Sequence, residues 1–597
     1  MKIRRILPFL FIMLTLTLTS CNTRTPSPGD EQNPPLTPTE GIVYRVDADG
    51  AHAEVIEYTG EATEIVIADT YNGLPVRVIG EKAFYRNDRI TSVIVPDSVR
   101  SIGDSAFHSC SKLENVTLPE GVEIESYAFE DCSLLLTQYD FCMYVRANGN
   151  PHAILYRVLS KMFDTYKIHE DTEYIGYGAF SGCRSIKEIA IPDGVAVIGN
   201  SAFKSCSGLV SVTIPDSVIA IGENAFQASG IGSVTIGKGV ATIGEWAFAN
   251  CDNLRSVIIP DNVSAIGDHA FGWCESLVSI DAGADGTYYS IDGNLYAGTT
   301  LVQYPQGKRA SSFEIPDFVT AVGNYAFADC SELTSVTIPD FVTAIGNHAF
   351  AGCFGLTSVT IPDFVTAIGN HAFSGCSGLT SVTIPDGVTH VGEGAFGYCS
   401  SLVNIDAGTD GLYYSLDGNL YTGTTLAQYP SGKDAATFEI PDFVTVIGNY
   451  AFAGCSGLAS VTIPDGVTAL GKAAFYMCPL LASVTIGDGV TSIGDSAFGA
   501  CMVLASVTMG SGVKTIGDAA FQNCSVLSSI TIPESVSYIG VYAIACGATT
   551  VVFENTEGWV VENATSTKAI PSTDLKDATA AAKCVGFTYT LYTWTRR

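Results

Sequence analysis

The dipeptide Ala-Phe recurs sixteen times along this 597-residue chain, each time inside the same longer pattern. Its Phe falls at 84, 107 and 129, then at 180, 203, 226, 248 and 271, then at 327, 350, 373 and 396, and finally at 452, 475, 498 and 521. Steps within a block are 22 or 23 residues, and the steps between blocks are 51, 56 and 56. Ala543-Ile544 continues the series as a seventeenth unit. A chain this self-similar folds as a stack of coils, because each unit is too small to close a core of its own.

One copy, residues 333–353, reads LTSVTIPDFVTAIGNHAFAGC and shows how a coil is built. In Val336, Thr337 and Ile338 apolar residues alternate with a hydroxyl residue, the mark of a half-buried strand. Pro339 and Asp340 end it, since proline cannot donate to a ladder and aspartate favours a turn. Residues 342–345 form a second short apolar segment, stopped by Gly346. Residues 347–353 are too few for a stable helix and suit one helical or 3-10 turn. A coil then buries about seven side chains worth roughly 1.5–3 kcal/mol each. Ordering its backbone costs roughly 1–2 kcal/mol for every residue, so a lone coil is unstable and only the array holds. The expected architecture is an elongated right-handed coil stack, mostly β with short helical or 3-10 turns. It has about 17 regular repeats plus three longer hairpin-bearing coils. At the usual strand spacing such a rod is roughly 80–100 Å long.

Composition narrows the function classes. Hydrophobic residues make up 47% of the chain and charged ones 15%, which excludes wholesale disorder. The net charge of −31 repels phosphates, so no nucleic-acid partner is expected. At the start, Lys2, Arg4 and Arg5 precede an apolar stretch over 6–18, too short for a comfortable membrane span. It ends in Leu18, Thr19, Ser20 and Cys21, which resembles a bacterial lipobox. Residues 1–20 are therefore read as a lipoprotein signal peptide, with Cys21 acylated as the membrane contact. Residues 21–40 form a Pro/Thr-rich tether, extended and solvated.

The pattern L-x-x-V-x-I-P-D-x-V-x-x-I-G-x-x-A-F-x-x-C resembles the BspA-like, treponemal-type class of bacterial leucine-rich repeats over residues from about 41 to 548. The resemblance implies a capping coil at 41–80, repeats over 81–548 and a C-terminal capping module at 549–597. Residues 288–296 and 413–421 read as hairpins turning at Asp-Gly, each leading into Gln-Tyr-Pro. The first long gap, 138–173, departs from that wording. The family implies display at the bacterial outer membrane or cell surface and binding of extracellular or host proteins, as adhesins do. It implies no enzyme activity, cofactor or catalytic residue.

Candidate positions follow from the register. Fourteen Ala-Phe copies place Cys three residues after Phe, among them Cys330, Cys353, Cys376 and Cys399, while Asn87 and Ser229 take that place in the other two. Ligands one coil apart form a column rather than a tetrahedron, so no metal site is expected there. An inward ladder of small polar groups meeting backbone is the favoured reading, with disulfides left open, also for Cys142, Cys546 and Cys584. His269, His348 and His371 sit two residues before their Phe; a variable surface position is favoured over a pH-sensitive or metal-binding column. The carboxylates after Pro, such as Asp340 and Asp363, read as a solvated ridge rather than a calcium site. Residues 232–239 almost spell a phosphate loop but lack its hydroxyl residue and align with a neighbouring coil. Phe318, Phe341, Phe364 and Phe443 follow Pro-Asp on a turn where exposure is expected. They form a candidate binding stripe or, alternatively, a self-stacking ladder that only stiffens the rod. Ser335, Thr337, Ser358, Thr360, Ser381 and Thr383 form a candidate polar face. Protein binding is the leading functional reading; glycan binding and a passive stalk are the alternatives.

Overall fold

A computed structural model describes residues 37–596 apart from 48, 120–121, 126, 409, 564–565 and 586–590. The leader, Cys21 and most of the 21–40 tether lie outside the described residues. Most coils contribute two short strands; those of the second face pair from coil to coil between the hairpins, and those of the first face pair in shorter runs of two to four. Ser335–Thr337 lies parallel to Ser312–Glu314 and Ser358–Val359, while Ala344–Ile345 lies parallel to Ala321–Val322 and Ala367–Ile368. The result is a β-solenoid of about 22 turns with almost no helix.

The third side of each coil is the Ala-Phe corner, and it is not helical. Within 348–353 alternate amides point in different directions. Those of Ala349, Ala351 and Cys353 close turns onto Gly346, His348 and Phe350, at 3.3, 3.0 and 3.2 Å. Those of His348, Phe350 and Gly352 donate to Asn370, Ala372 and Ser374 of the next coil, at 2.9, 2.7 and 2.8 Å. A helical turn would aim every amide along its own axis and leave the coils unlinked here. Alternation requires left-handed residues, and His348 (φ 54°) and Gly352 (φ 69°) supply them two positions either side of Phe350. Gly346 lets the backbones approach: a Cβ there would stand 2.7 Å from the Asn324 nitrogen.

Inside the corner the phenylalanines stack. Phe327, Phe350 and Phe373 follow one another at 4.8 and 5.0 Å, with ring planes within 5°. The thiols lie beside them as donors: Cys353 Sγ is 3.1 Å from Phe327 O, Cys376 Sγ 3.1 Å from Phe350 O, and Cys399 Sγ 3.2 Å from Phe373 O. Cys330, in the first coil after a hairpin, is buried in the same column. All cysteines among the described residues are free thiols, Cys142, Cys546 and Cys584 included. Burial raises the thiols of Cys353, Cys376 and Cys399, the last up to about 12, so these three stay protonated.

Three hairpins interrupt the stack. Tyr288–Ile291, Asn294–Ala297 and Thr300–Gln303 run antiparallel, and the last then pairs in parallel with Ala321–Val322. Tyr413–Leu416, Asn419–Thr422 and Thr425–Gln428 repeat this before Val446–Ile447. The first gap, whose sequence departs, has the same strand order: Leu136–Tyr139, Cys142–Ala147 and Asn150–Val158, then Tyr174–Ile175. The middle strand joins blocks through its period of two. Leu295 packs into the preceding core and Tyr296 into the following one; Leu420 and Tyr421 do the same.

The ends differ from the array. Ile42–Val46 lies antiparallel on Ala53–Tyr58, which pairs in parallel with Leu74–Ile79. At the other end Thr593–Arg596 runs antiparallel to Tyr538–Ile539 and turns the strand edge over to Trp559–Asn563. Trp559 and Trp594 are buried against the last coils, together with Leu575 and Ala581 of two short helices, Ser572–Lys576 and Ala578–Lys583. Antiparallel partners at both ends leave fewer edge groups unpaired.

The thiol ladder yields a prediction. Cys376→Ala strips a donor from Phe350 O and leaves a small void, so it should lower stability by about 1–3 kcal/mol. Cys376→Ser, which keeps a donor, should lower it less. Urea unfolding midpoints of the two variants check the order.

Candidate interaction surface

The turn that carries the stripe has the same geometry in each coil. Val342 N–H donates to Pro339 O at 3.1 Å and Val365 N–H to Pro362 O at 3.0 Å, so Asp and Phe occupy the two central positions. The valine is buried and the phenylalanine before it faces outward. Phe341 and Phe364 are each 63% exposed, against 39% and 38% for Phe318 and Phe443. The difference comes from the hairpins. Phe318 leans on Tyr296 at 5.4 Å, and Phe443 on Tyr421 at 5.3 Å. Phe341 and Phe364 make no ring–ring contact among the described residues, unlike the stacked core phenylalanines. The four residues thus divide into two hairpin-seated rings and two free-standing ones.

Two of the serines at this turn position have a different fate, while the hydroxyl of a third, Ser98, is buried without a partner. Ser217 Oγ donates to Val195 O and Ser535 Oγ to Val513 O, both at 2.7 Å, tying the turn to the preceding coil. Phenylalanine cannot make that bond, and it exposes apolar surface as well. A stability argument alone favours serine at 341 and 364.

The hydroxyl face is less continuous. Ser335 pairs in register with Ser358, and Ser381–Ile384 belongs to a separate pair with Asn404–Ala407. The side chains of Ser335, Thr337, Ser358, Thr360, Ser381 and Thr383 are all exposed. Neighbouring threonines instead brace the array: Thr343 Oγ1 donates to Thr320 O, and Thr366 Oγ1 to Thr343 O, both at 3.2 Å.

The three histidines belong to a longer aromatic column that the sequence reading did not assemble. His269 stacks on Tyr325 at 4.5 Å, Tyr325 on His348 at 4.7 Å, and His348 on His371 at 5.0 Å. Trp246 and Tyr450 close it edge-on at 4.4 and 4.8 Å. His269 and Tyr325 meet although 56 residues apart, because the hairpin coil between them does not occupy this corner; Asn324 Nδ2 likewise donates to Asp268 Oδ2 at 2.9 Å. The signal was available: every member lies two residues before its Phe. His269 is buried, and neither ring nitrogen has a hydrogen-bond partner. Burial, with His348 nearby, lowers it to about 4; burial also lowers His348 and His371. No ridge aspartate on the Pro-Asp turns joins a metal-capable cluster among the described residues.

The chain matches the BspA type leucine rich repeat region, in six copies, over residues 63–145, 160–301, 306–415 and 431–547. It belongs to that family of leucine-rich repeat proteins. Among solved structures it is similar to a leucine rich cell surface protein from Faecalibacterium prausnitzii A2-165, at 25% identity over 80% of this chain and 95% of that one, with a TM-score of 0.30. A leucine-rich repeat protein from Bacteroides ovatus ATCC 8483 matches at 23% identity over 83% and 94%, TM-score 0.27. The pneumococcal vaccine antigen PcpA matches at 16% over 76% and 93%, TM-score 0.31. No curated protein matches the chain. No helix among the described residues is long and apolar enough to cross a membrane.

The buried imidazole gives a pH prediction. His269 titrates near 4 when folded against about 6.5 unfolded, so the folded state binds fewer protons in that interval. Its contribution is present above pH 6.5 and lost as pH falls toward 4, on the order of 3 kcal/mol in all. His269→Phe should flatten the fall in melting temperature between pH 6.5 and 4, read as the difference from the parent chain.

Proposed function

We propose that this chain is a cell-surface protein, lipid-anchored through Cys21 to the bacterial outer membrane or cell surface, that binds extracellular or host proteins as an adhesin does. The 21–40 tether holds the rod away from the membrane. The observation that carries the reading is the pair Phe341 and Phe364, exposed on consecutive turns, free of ring partners, and standing where serine would serve the fold better. Phe318 and Phe443 extend the same edge on either side. Apolar aromatic side chains in such a row supply the contact area that protein interfaces concentrate in a few residues.

Phe341→Ser and Phe364→Ser together should weaken binding to a protein partner by about tenfold or more. The melting temperature should hold or rise, since each serine regains a route to the preceding coil. A panel of extracellular proteins and a glycan array, probed with parent and variant, checks this. Unchanged protein binding by the variant overturns the stripe, and glycan binding that survives it shifts the assignment to the hydroxyl face. Cys21→Ser should release the chain from membranes on fractionation.

A further inference from the structure

The first hairpin coil repeats the strand order of the other two and, at the seat where they place a phenylalanine, carries different chemistry. The register is fixed by three equivalent pairings: Ile154 with Tyr174, Thr300 with Ala321, and Thr425 with Val446. Three residues before each receiving strand stand Asp171, Phe318 and Phe443. Five before it stand His169, Pro316 and Pro441. On the hairpin side His152 takes the place of Gly298 and Gly423. Tyr144 is the counterpart of Tyr296 and Tyr421, each paired with a leucine of the next strand. Two copies thus seat a phenylalanine against a tyrosine, and the remaining copy gathers two imidazoles and a carboxylate at that seat.

These three side chains converge. One ligand-capable atom from each of His152, His169 and Asp171 lies within 4.8 Å of the other two. The imidazole centroids are 3.7 Å apart with planes 20° from parallel, and Asp171 Oδ2 lies 3.6 Å from His169 Nδ1. The surroundings hold them. Thr172 donates to His169 O through its amide at 3.1 Å and its hydroxyl at 2.7 Å, closing the turn that carries both His169 and Asp171. Asn150 Nδ2 donates to Asp171 O at 2.7 Å and ties that turn to the His152 strand. Tyr144 Oη accepts the His169 amide at 3.0 Å and meets the His152 ring edge-on at 5.3 Å. Within this framework His152 Nδ1 is buried with no hydrogen-bond partner.

Neutral imidazole nitrogens beside an anionic oxygen are the donor set of a borderline divalent metal, and calcium or magnesium would demand more oxygens. We propose that His152, His169 and Asp171 form a binding site for a divalent transition metal of the zinc class. Asp171 is exposed, so a remaining coordination position opens to solvent on the edge of the rod that carries Phe318 and Phe443 in the later copies. A spacing of seventeen residues between the histidines hides the site from any local metal motif. The proposal stands apart from the protein-binding reading, which involves other residues.

The test titrates the full-length chain with Zn²⁺ alone by calorimetry and with Co²⁺ alone by visible absorption. One saturable site is expected, with a cobalt spectrum that disappears in His152→Ala and in His169→Ala. Asp171→Asn should weaken affinity by at least about tenfold, the loss seen even when an outer-shell partner is removed. His52→Ala, in the other metal-capable cluster among the described residues (Asp47, Asp49, His52), should leave the site intact. Metal should raise the melting temperature of the parent, leave those of the two histidine variants unchanged, and raise that of Asp171→Asn less than the parent's at equal metal. Absence of saturable binding, or binding that survives both histidine substitutions, overturns the proposal. If an alanine variant melts below the parent without metal, the exposed Asp171→Asn decides, and unchanged affinity there overturns it.

Discussion

Every coil in this molecule depends on amide bonds to the coil beside it, and the Ala-Phe corner shows how completely. Between His348 and Cys353 half the amides close local turns and half cross to the next coil. That division fixes the rest of the corner. It needs left-handed residues either side of the phenylalanine, glycine where adjacent backbones nearly touch, and a small donor where the Phe carbonyl turns inward. Cysteine meets the last requirement because it is small, content to be buried, and carries a weak donor. The interior is therefore chemically quiet, and chemistry has to sit on the turns and at the interruptions.

The hairpin coils are those interruptions, and they serve cohesion and variation together. Their middle strands send alternate residues into the two adjoining cores, so a broken sheet still gives a continuous body. Lys308 Nζ reinforces one of them, donating to Asn294 Oδ1 at 2.7 Å and lying over the Tyr304 ring at 5.2 Å; Lys433, Asn419 and Tyr429 repeat the clip. Because the hairpin coil leaves the aromatic corner empty, residues 56 apart meet there, and the ring column runs on without a gap.

This explains what could be read from the sequence and what could not. The period, the two strands and the buried Val-Ile-Ala-Phe set were legible because each repeats in register. The corner was misjudged as a helical or 3-10 turn because residue count alone does not tell a helix from alternating turns; the positive φ at His348 and its counterparts is what separates them. The phenylalanine stripe was legible as a set but not in its division, since only pairing shows that Tyr296 and Tyr421 reach Phe318 and Phe443. His152, His169 and Asp171 were invisible for the same reason. Their coil spells residues 168–176 as IHEDTEYIG where a later copy has IPDFVTAVG, and the likeness emerges once Tyr174 and Ala321 are known to be equivalent.

The turn position occupied by Asp171, Phe318, Phe341, Phe364 and Phe443 brings these threads together. The residue after it is a buried valine in the regular coils, or Thr172 with its hydroxyl bonded back in the first hairpin coil, and that residue anchors the turn whatever precedes it. The position itself faces outward. Ser217 and Ser535 return a hydrogen bond from it to the array, whereas the Ser98 hydroxyl is buried without a partner; with phenylalanine or aspartate it faces solvent or a neighbouring hairpin. A fold held by amides and buried rings tolerates either choice, so this one column can carry apolar contact in one coil and metal ligation in another without disturbing the stack beneath it.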